Sequence, residues 1–179
     1  MSDDAPPGLG PRGEIALAYW QGLRRGRHLP ARTDIDPAEI PKLLPGTILV
    51  DVLRDPLDFR YRLVGTAIVE TYGEELTGRF VDELFTPARR ALAMRHYALA
   101  FGSARPIAAR NRYTNVRGAE LIASRILLPL SEDGVNVSML LIGQTCAYAV
   151  PGREGLRRDT VLTEDQVEFL DAGALTPVG

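Results

Sequence analysis

The chain has 179 residues, 45% of them hydrophobic and 25% charged, a composition that fits one globular domain with extensions at its ends and excludes a disordered chain. A formal net charge of −2 argues against a dedicated nucleic-acid binder, and the single cysteine, Cys146, excludes an intrachain disulfide framework and a cysteine-rich zinc site. The polar start Ser2-Asp3-Asp4 has no apolar signal core, and no run approaches the roughly 18 apolar residues of a membrane span, so a cytoplasmic location with no membrane partner is the expectation.

Residues 1–12, rich in Gly, Pro and Asp, predict a disordered leader. From residue 13 to 25, Ile15, Ala16, Tyr19, Trp20 and Leu23 fall on one side of a helical wheel. So short a helix must pack its stripe on something, either its own sheet or a second copy of the chain. Ile15, Tyr19, Trp20 and Leu23 are therefore candidate dimer contacts. Asp36, Pro37 and Glu39 carry the signals of a helix start, giving a short helix to about Leu44 stopped by Pro45-Gly46.

Residues 47–53 are a β-branched run, linked by the turn-forming segment 54–58 to an alternating strand in which Phe59, Tyr61 and Leu63 share the face chosen for the core. Helical turns are expected over residues 67–72 and 80–85. Thr86-Pro87 caps a longer helix running to about Phe101, apolar on two sides and therefore sandwiched. Three strands follow at residues 106–114, 120–130 and 135–148, the last two joined by the turn Ser131-Glu132-Asp133-Gly134. Short links between consecutive strands imply antiparallel pairing. Thr163-Glu164-Asp165-Gln166 offers a capping box for a short C-terminal helix ending near Gly173. The division expected is a leader (1–12), an N-terminal helical extension (13–45), a main domain (46–150) and a tail (151–179).

Two strands, a helical block and three more strands predict an α+β fold: a five-stranded antiparallel sheet with helices on one face. That order resembles a PAS domain over about residues 47–148. The local match is Tyr61-Arg62-Leu63-Val64-Gly65-Thr66-Ala67-Ile68, followed by Tyr72-Gly73-Glu74-Glu75-Leu76-Thr77-Gly78-Arg79. Trp20, Leu29-Pro30 and Asp34-Ile35-Asp36-Pro37 are similar to a group of small stand-alone bacterial PAS proteins. The resemblance implies a sensory or adaptor module that binds a small molecule between sheet and helices and pairs with itself or a signalling protein. With no space expected for an effector domain, signalling would proceed by association.

No motif with a catalytic mechanism emerges. Gly8-Leu9-Gly10-Pro11-Arg12-Gly13 spells a dinucleotide fingerprint, but it follows no strand and contains a proline. His28 and His96 are too far apart in the sequence to suggest a metal site, and neither a serine nor a cysteine nucleophile signature is present. Haem-binding PAS proteins take their axial ligand from a histidine on this helix, so the resemblance makes His96 a candidate haem ligand; with no haem motif around it, a packed core histidine is the expectation. Cys146 lies at the end of a strand, whereas flavin photoreceptor PAS domains carry theirs in a helical motif, so a flavin adduct is not expected. The candidate ligand residues are Tyr61, Tyr72, His96, Tyr97, Asn111, Tyr113 and Ser124, with Asn111 and Ser124 placed in the same inward phase. The chain is expected not to be an enzyme. A cone-fold isomerase or dehydratase and a ligand-free interaction domain are the rival readings.

Overall fold

The computed structural model describes residues 9–84, 86–149 and 166–170. A first helix, α1 (Gly10–Leu23), leads through three single 3-10 turns to the hairpin β1 (Thr47–Arg54) and β2 (Leu57–Val64). The helices α2 (Thr66–Tyr72) and α3 (Pro87–Ser103) follow, then β3 (Ile107–Thr114), β4 (Glu120–Leu130), β5 (Met139–Tyr148) and β6 (Gln166–Phe169). The strands form one antiparallel sheet in the order β2-β1-β5-β4-β3-β6.

The sheet separates two layers. Ile48, Val50, Phe59, Tyr61, Tyr113, Leu127 and Ile142 point to the face covered by α2 and α3, and all are buried. On the opposite face Ser124, Ile126, Leu141 and Gly143 meet α1 and the segment around Ile40 and Leu43. Gly143 lets α1 approach: a Cβ there would sit 3.2 Å from Ile126 and 3.6 Å from Ala16. Helical cover therefore lies on both faces, not one.

The stripe of α1 is spent on its own sheet. Trp20 is 0% exposed, its indole Nε1 donates to the Pro129 carbonyl at 2.8 Å, and Leu23 is buried beside it. Tyr19 is half-buried, its hydroxyl accepting from the Asp36 backbone N–H at 2.9 Å. Of the four residues expected at a dimer contact, only Ile15 stands out, 53% exposed. The helix also begins at Gly10, so residues 9–12 belong to the fold and not to a leader; residues 1–8 lie outside the described residues.

Four further expectations are corrected. The segment after Asp36 forms 3-10 turns at Pro37–Glu39 and Leu44–Gly46, because Asp36 caps only Ala38 N–H, at 2.8 Å. Leu63 is 42% exposed: β1 pairs Leu49 with Leu63 but Val50 with Tyr61, so Arg62 is an inserted bulge residue that turns the phase of β2 and sends Val64 inward. Residues 80–84 make turns, not a helix, and run along β2, with Gly78 N–H donating to Tyr61 O and Val81 N–H to Phe59 O. The C-terminal helix is replaced at residues 166–169 by β6, which makes the sheet six-stranded. β3 otherwise presents an unpaired edge, and pairing Ile107 with Phe169 and Ala109 with Val167 satisfies it. The rest of that expected helix lies outside the described residues.

If α1 is an integral layer, Trp20→Ala should destabilise the domain by about 3–5 kcal/mol. Trp20→Phe should cost less, through the Pro129 carbonyl it strands. Urea denaturation measures both. A Trp20→Ala midpoint equal to wild type would show that α1 is not part of the cooperative core.

Candidate ligand-binding site

Between the inner sheet face and α2/α3 lies a partly open cavity of about 370 Å³, its mouth included. Four of the seven residues singled out from the sequence line it: Tyr61, Tyr72, Tyr97 and Tyr113. Each is delivered by a different element. The β2 phase aims Tyr61 inward. Tyr72 ends α2, where Gly73 adopts φ +95° and stops the helix. Asn115, fully buried in the β3–β4 turn, donates to Thr71 O at 2.8 Å and accepts from the Arg117 and Ala119 backbones, which ties that turn to α2. The start of α2 is pinned by Gly65, since a Cβ there would lie 2.4 Å from Pro45 O.

The tyrosines form a connected wall. The Tyr61 and Tyr97 hydroxyls are 3.0 Å apart, the rings meet edge-on with centroids 6.4 Å apart, and Phe59 packs edge-on to Tyr97 at 5.3 Å. Tyr113 has its hydroxyl 3.8 Å from Cys146 Sγ. Its ring lies under the Arg89 guanidinium, 3.7 Å from centroid to Cζ. Burial pushes the Tyr61 and Tyr113 hydroxyls well above the ordinary phenol range; the Arg89 and Arg125 charges pull the other way and only partly offset it.

The other three candidates lie elsewhere. Ser124 pairs with Arg110 and belongs to the α1 face. The inward residue is its neighbour Arg125, which shares the phase of Leu121, Ala123 and Leu127. Asn111 is buried next to the cavity and accepts from Arg125 Nη2 at 3.1 Å. His96 is fully buried on α3 and is not among the residues lining the cavity. Sequence reasoning missed Arg89, Arg125 and Gln144, all of which line it. The available signal for Arg125 was a charge inside an otherwise apolar strand run. Among the described residues, no group of three or more metal-ligating side chains converges, and no helix is long and apolar enough to cross a membrane.

The antiparallel sheet with its helical block between the second and third strands has the element order that the sequence resemblance implied. The family described as PAS domain matches residues 11–143. The chain belongs to the PAS domain family. Its helical block after a leading hairpin departs from the cone fold, whose long helices precede the sheet. Among solved structures it is similar to a LOV protein from Rhodobacter sphaeroides, at 15% identity and a TM-score of 0.48, covering 66% of this chain and 71% of that one. It is also similar to VqmA bound to DPO, at 13% identity and a TM-score of 0.46, covering 62% and 56%. A third is an RNA-binding light-oxygen-voltage receptor, at 19% identity and a TM-score of 0.43, covering 65% of this chain and 35% of that one. No curated protein matches.

The raised tyrosine hydroxyls give a pH prediction. A group whose folded pKa lies above its unfolded value, about 10 for tyrosine, stabilises the fold fully below that pH and progressively less as pH rises through the folded value. Unfolding free energy should therefore fall above about pH 10, and Tyr61→Phe should flatten that fall. Urea midpoints from pH 8 upward test it; parallel profiles for the two proteins would refute the assignment to Tyr61.

Proposed function

We propose that this PAS domain is a sensory or adaptor module without catalytic activity, acting in the cytoplasm. It binds a small molecule between the inner sheet face and α2/α3. Its signal passes by association with a second copy or with a signalling protein. The observation that supports ligand binding is the cavity itself: tyrosine rings supply apolar body, and a few buried polar groups converge on it. That is the usual composition of a small-molecule site. Lining residues come from β1, β2, β3, β4, β5, α2 and α3, so an occupant touches nearly every element at once and favours whichever arrangement of them it fits best. Self-association has a narrower basis, the exposed Ile15 on the outer side of α1.

Native mass spectrometry of the purified full chain tests both halves of the reading. The expected result is a dimer carrying a non-covalent small-molecule mass, converted to monomer by Ile15→Arg. A monomer that retains nothing would count against the sensory reading. A dimer indifferent to Ile15→Arg would move the contact away from α1.

A further inference from the structure

The cavity wall carries more hydrogen-bond donors than it can satisfy. Arg125 is 5% exposed, sits between Ala109 and Gln144 in the cross-strand row, and lines the cavity. Its guanidinium has five N–H groups. The acceptor it meets is the neutral Asn111 Oδ1 at 3.1 Å, and its Nε has no acceptor among the described residues. Asn111, 2% exposed, likewise has a buried Nδ2 without an acceptor. None of the described residues lining the cavity is a carboxylate. Arg89, over the Tyr113 ring, adds a second positive charge.

A buried cation with no carboxylate facing it costs several kcal/mol of lost hydration, and each buried donor left unmade adds to that. An arginine kept at such a position fits an anion supplied from outside. The fork of a guanidinium matches a carboxylate in bidentate geometry. Across the cavity the rings of Tyr61, Tyr97 and Tyr113 with Ile68 and Leu76 make a mainly apolar surround. A compact, heavily hydrated dianion would lose more there than one guanidinium returns, whereas an anion with an apolar body gains on both counts.

We propose that the cavity takes a small organic carboxylate, its head held by the fork of Arg125, which Asn111 braces from beside the cavity, and its apolar body packed among the tyrosine rings. This rests on the reading of the cavity as a ligand site and names the chemical class it selects.

The test titrates full-length protein and follows the Arg125 side-chain Nε–H signal by NMR, assigned by its loss in Arg125→Lys. The probes are benzoate and its neutral isostere benzamide. Benzoate should move the signal saturably and bind at least about tenfold tighter than benzamide. Arg125→Lys, which keeps the charge but loses the fork, should weaken benzoate about tenfold, read from the tyrosine ring signals. Asn111→Asp supplies a carboxylate from within, so it should abolish the benzoate response while leaving cooperative unfolding intact. Equal affinity for benzoate and benzamide would overturn the carboxylate assignment and leave small-molecule binding standing. Unchanged benzoate affinity in both variants would overturn the role of Arg125 and Asn111. If neither probe moves any cavity signal, the reading of the cavity as a ligand site falls with it.

Discussion

The seam between β1 and β5 is the constraint from which the rest of the domain follows. It pairs Thr47 with Gly143 and Asp51 with Met139, residues about ninety positions apart, and it closes a loop holding β2, α2, α3, β3 and β4. Bringing such distant segments together has a loop-closure cost that only a well-buried seam can offset. The inner row Ile48, Val50, Leu140 and Ile142 supplies that burial. Glycine makes the close approach possible. A Cβ on Gly46 would lie 2.5 Å from Gln144 O, so any side chain there would push the two strands apart. Gly65, one turn away, holds α2 against the same corner.

Seen from this seam, the cavity is a consequence of how the sheet is covered. α3 packs on the inner face by its buried side, Arg89, Ala93, Tyr97 and Ala100. Alanines at 93 and 100 bring the helix close at two points, while Tyr97 and Arg89 hold it away where Tyr61 and Tyr113 rise from the strands. The space between them is therefore bounded by long, partly polar side chains, not by aliphatic groups that would interlock and fill it. Arg125 completes the wall from the sheet side. Its position in β4 is stabilised by strand pairing on both edges, which is how a buried charge can be tolerated at a position that local burial energetics alone would disfavour.

The order of elements was legible in the sequence because it rests on local signals. The Thr86-Pro87 cap, realised by Thr86 Oγ1 accepting from Arg89 N–H at 3.4 Å, and the alternation of Phe59 and Tyr61 both act within a few residues. What failed was whatever depended on register. Asn111 lies opposite Ala123 and Tyr113 opposite Leu121, so inward positions on β3 face odd-numbered positions on β4; one residue more in the 115–119 turn would have brought Ser124 inward. The same reasoning covers the Arg62 bulge that turned Leu63 outward. β6 shows a different limit: the sequence around Gln166 carries the pattern of a helix start, but an open sheet edge at β3 offers pairing that no local pattern announces. Trp20 was ambiguous by nature, since an amphipathic stripe declares that it will be covered and not by what.

The two faces of the sheet are not independent. Along β4, Ser124 and Ile126 border the α1 side while Arg125 between them lines the cavity; along β5, Gly143 borders the α1 side while Gln144 lines the cavity. Neighbouring residues of two strands thus belong to opposite layers, and a backbone shift that moves one moves the other. Because interiors are close-packed, such a shift has few places to be absorbed. At Gly143 the strand is flanked by Ile126 on one side and Ala16 of α1 on the other. α1 is therefore held against the strands that carry Arg125 and Gln144, and the sheet acts as a shared wall between the cavity and the outer helix.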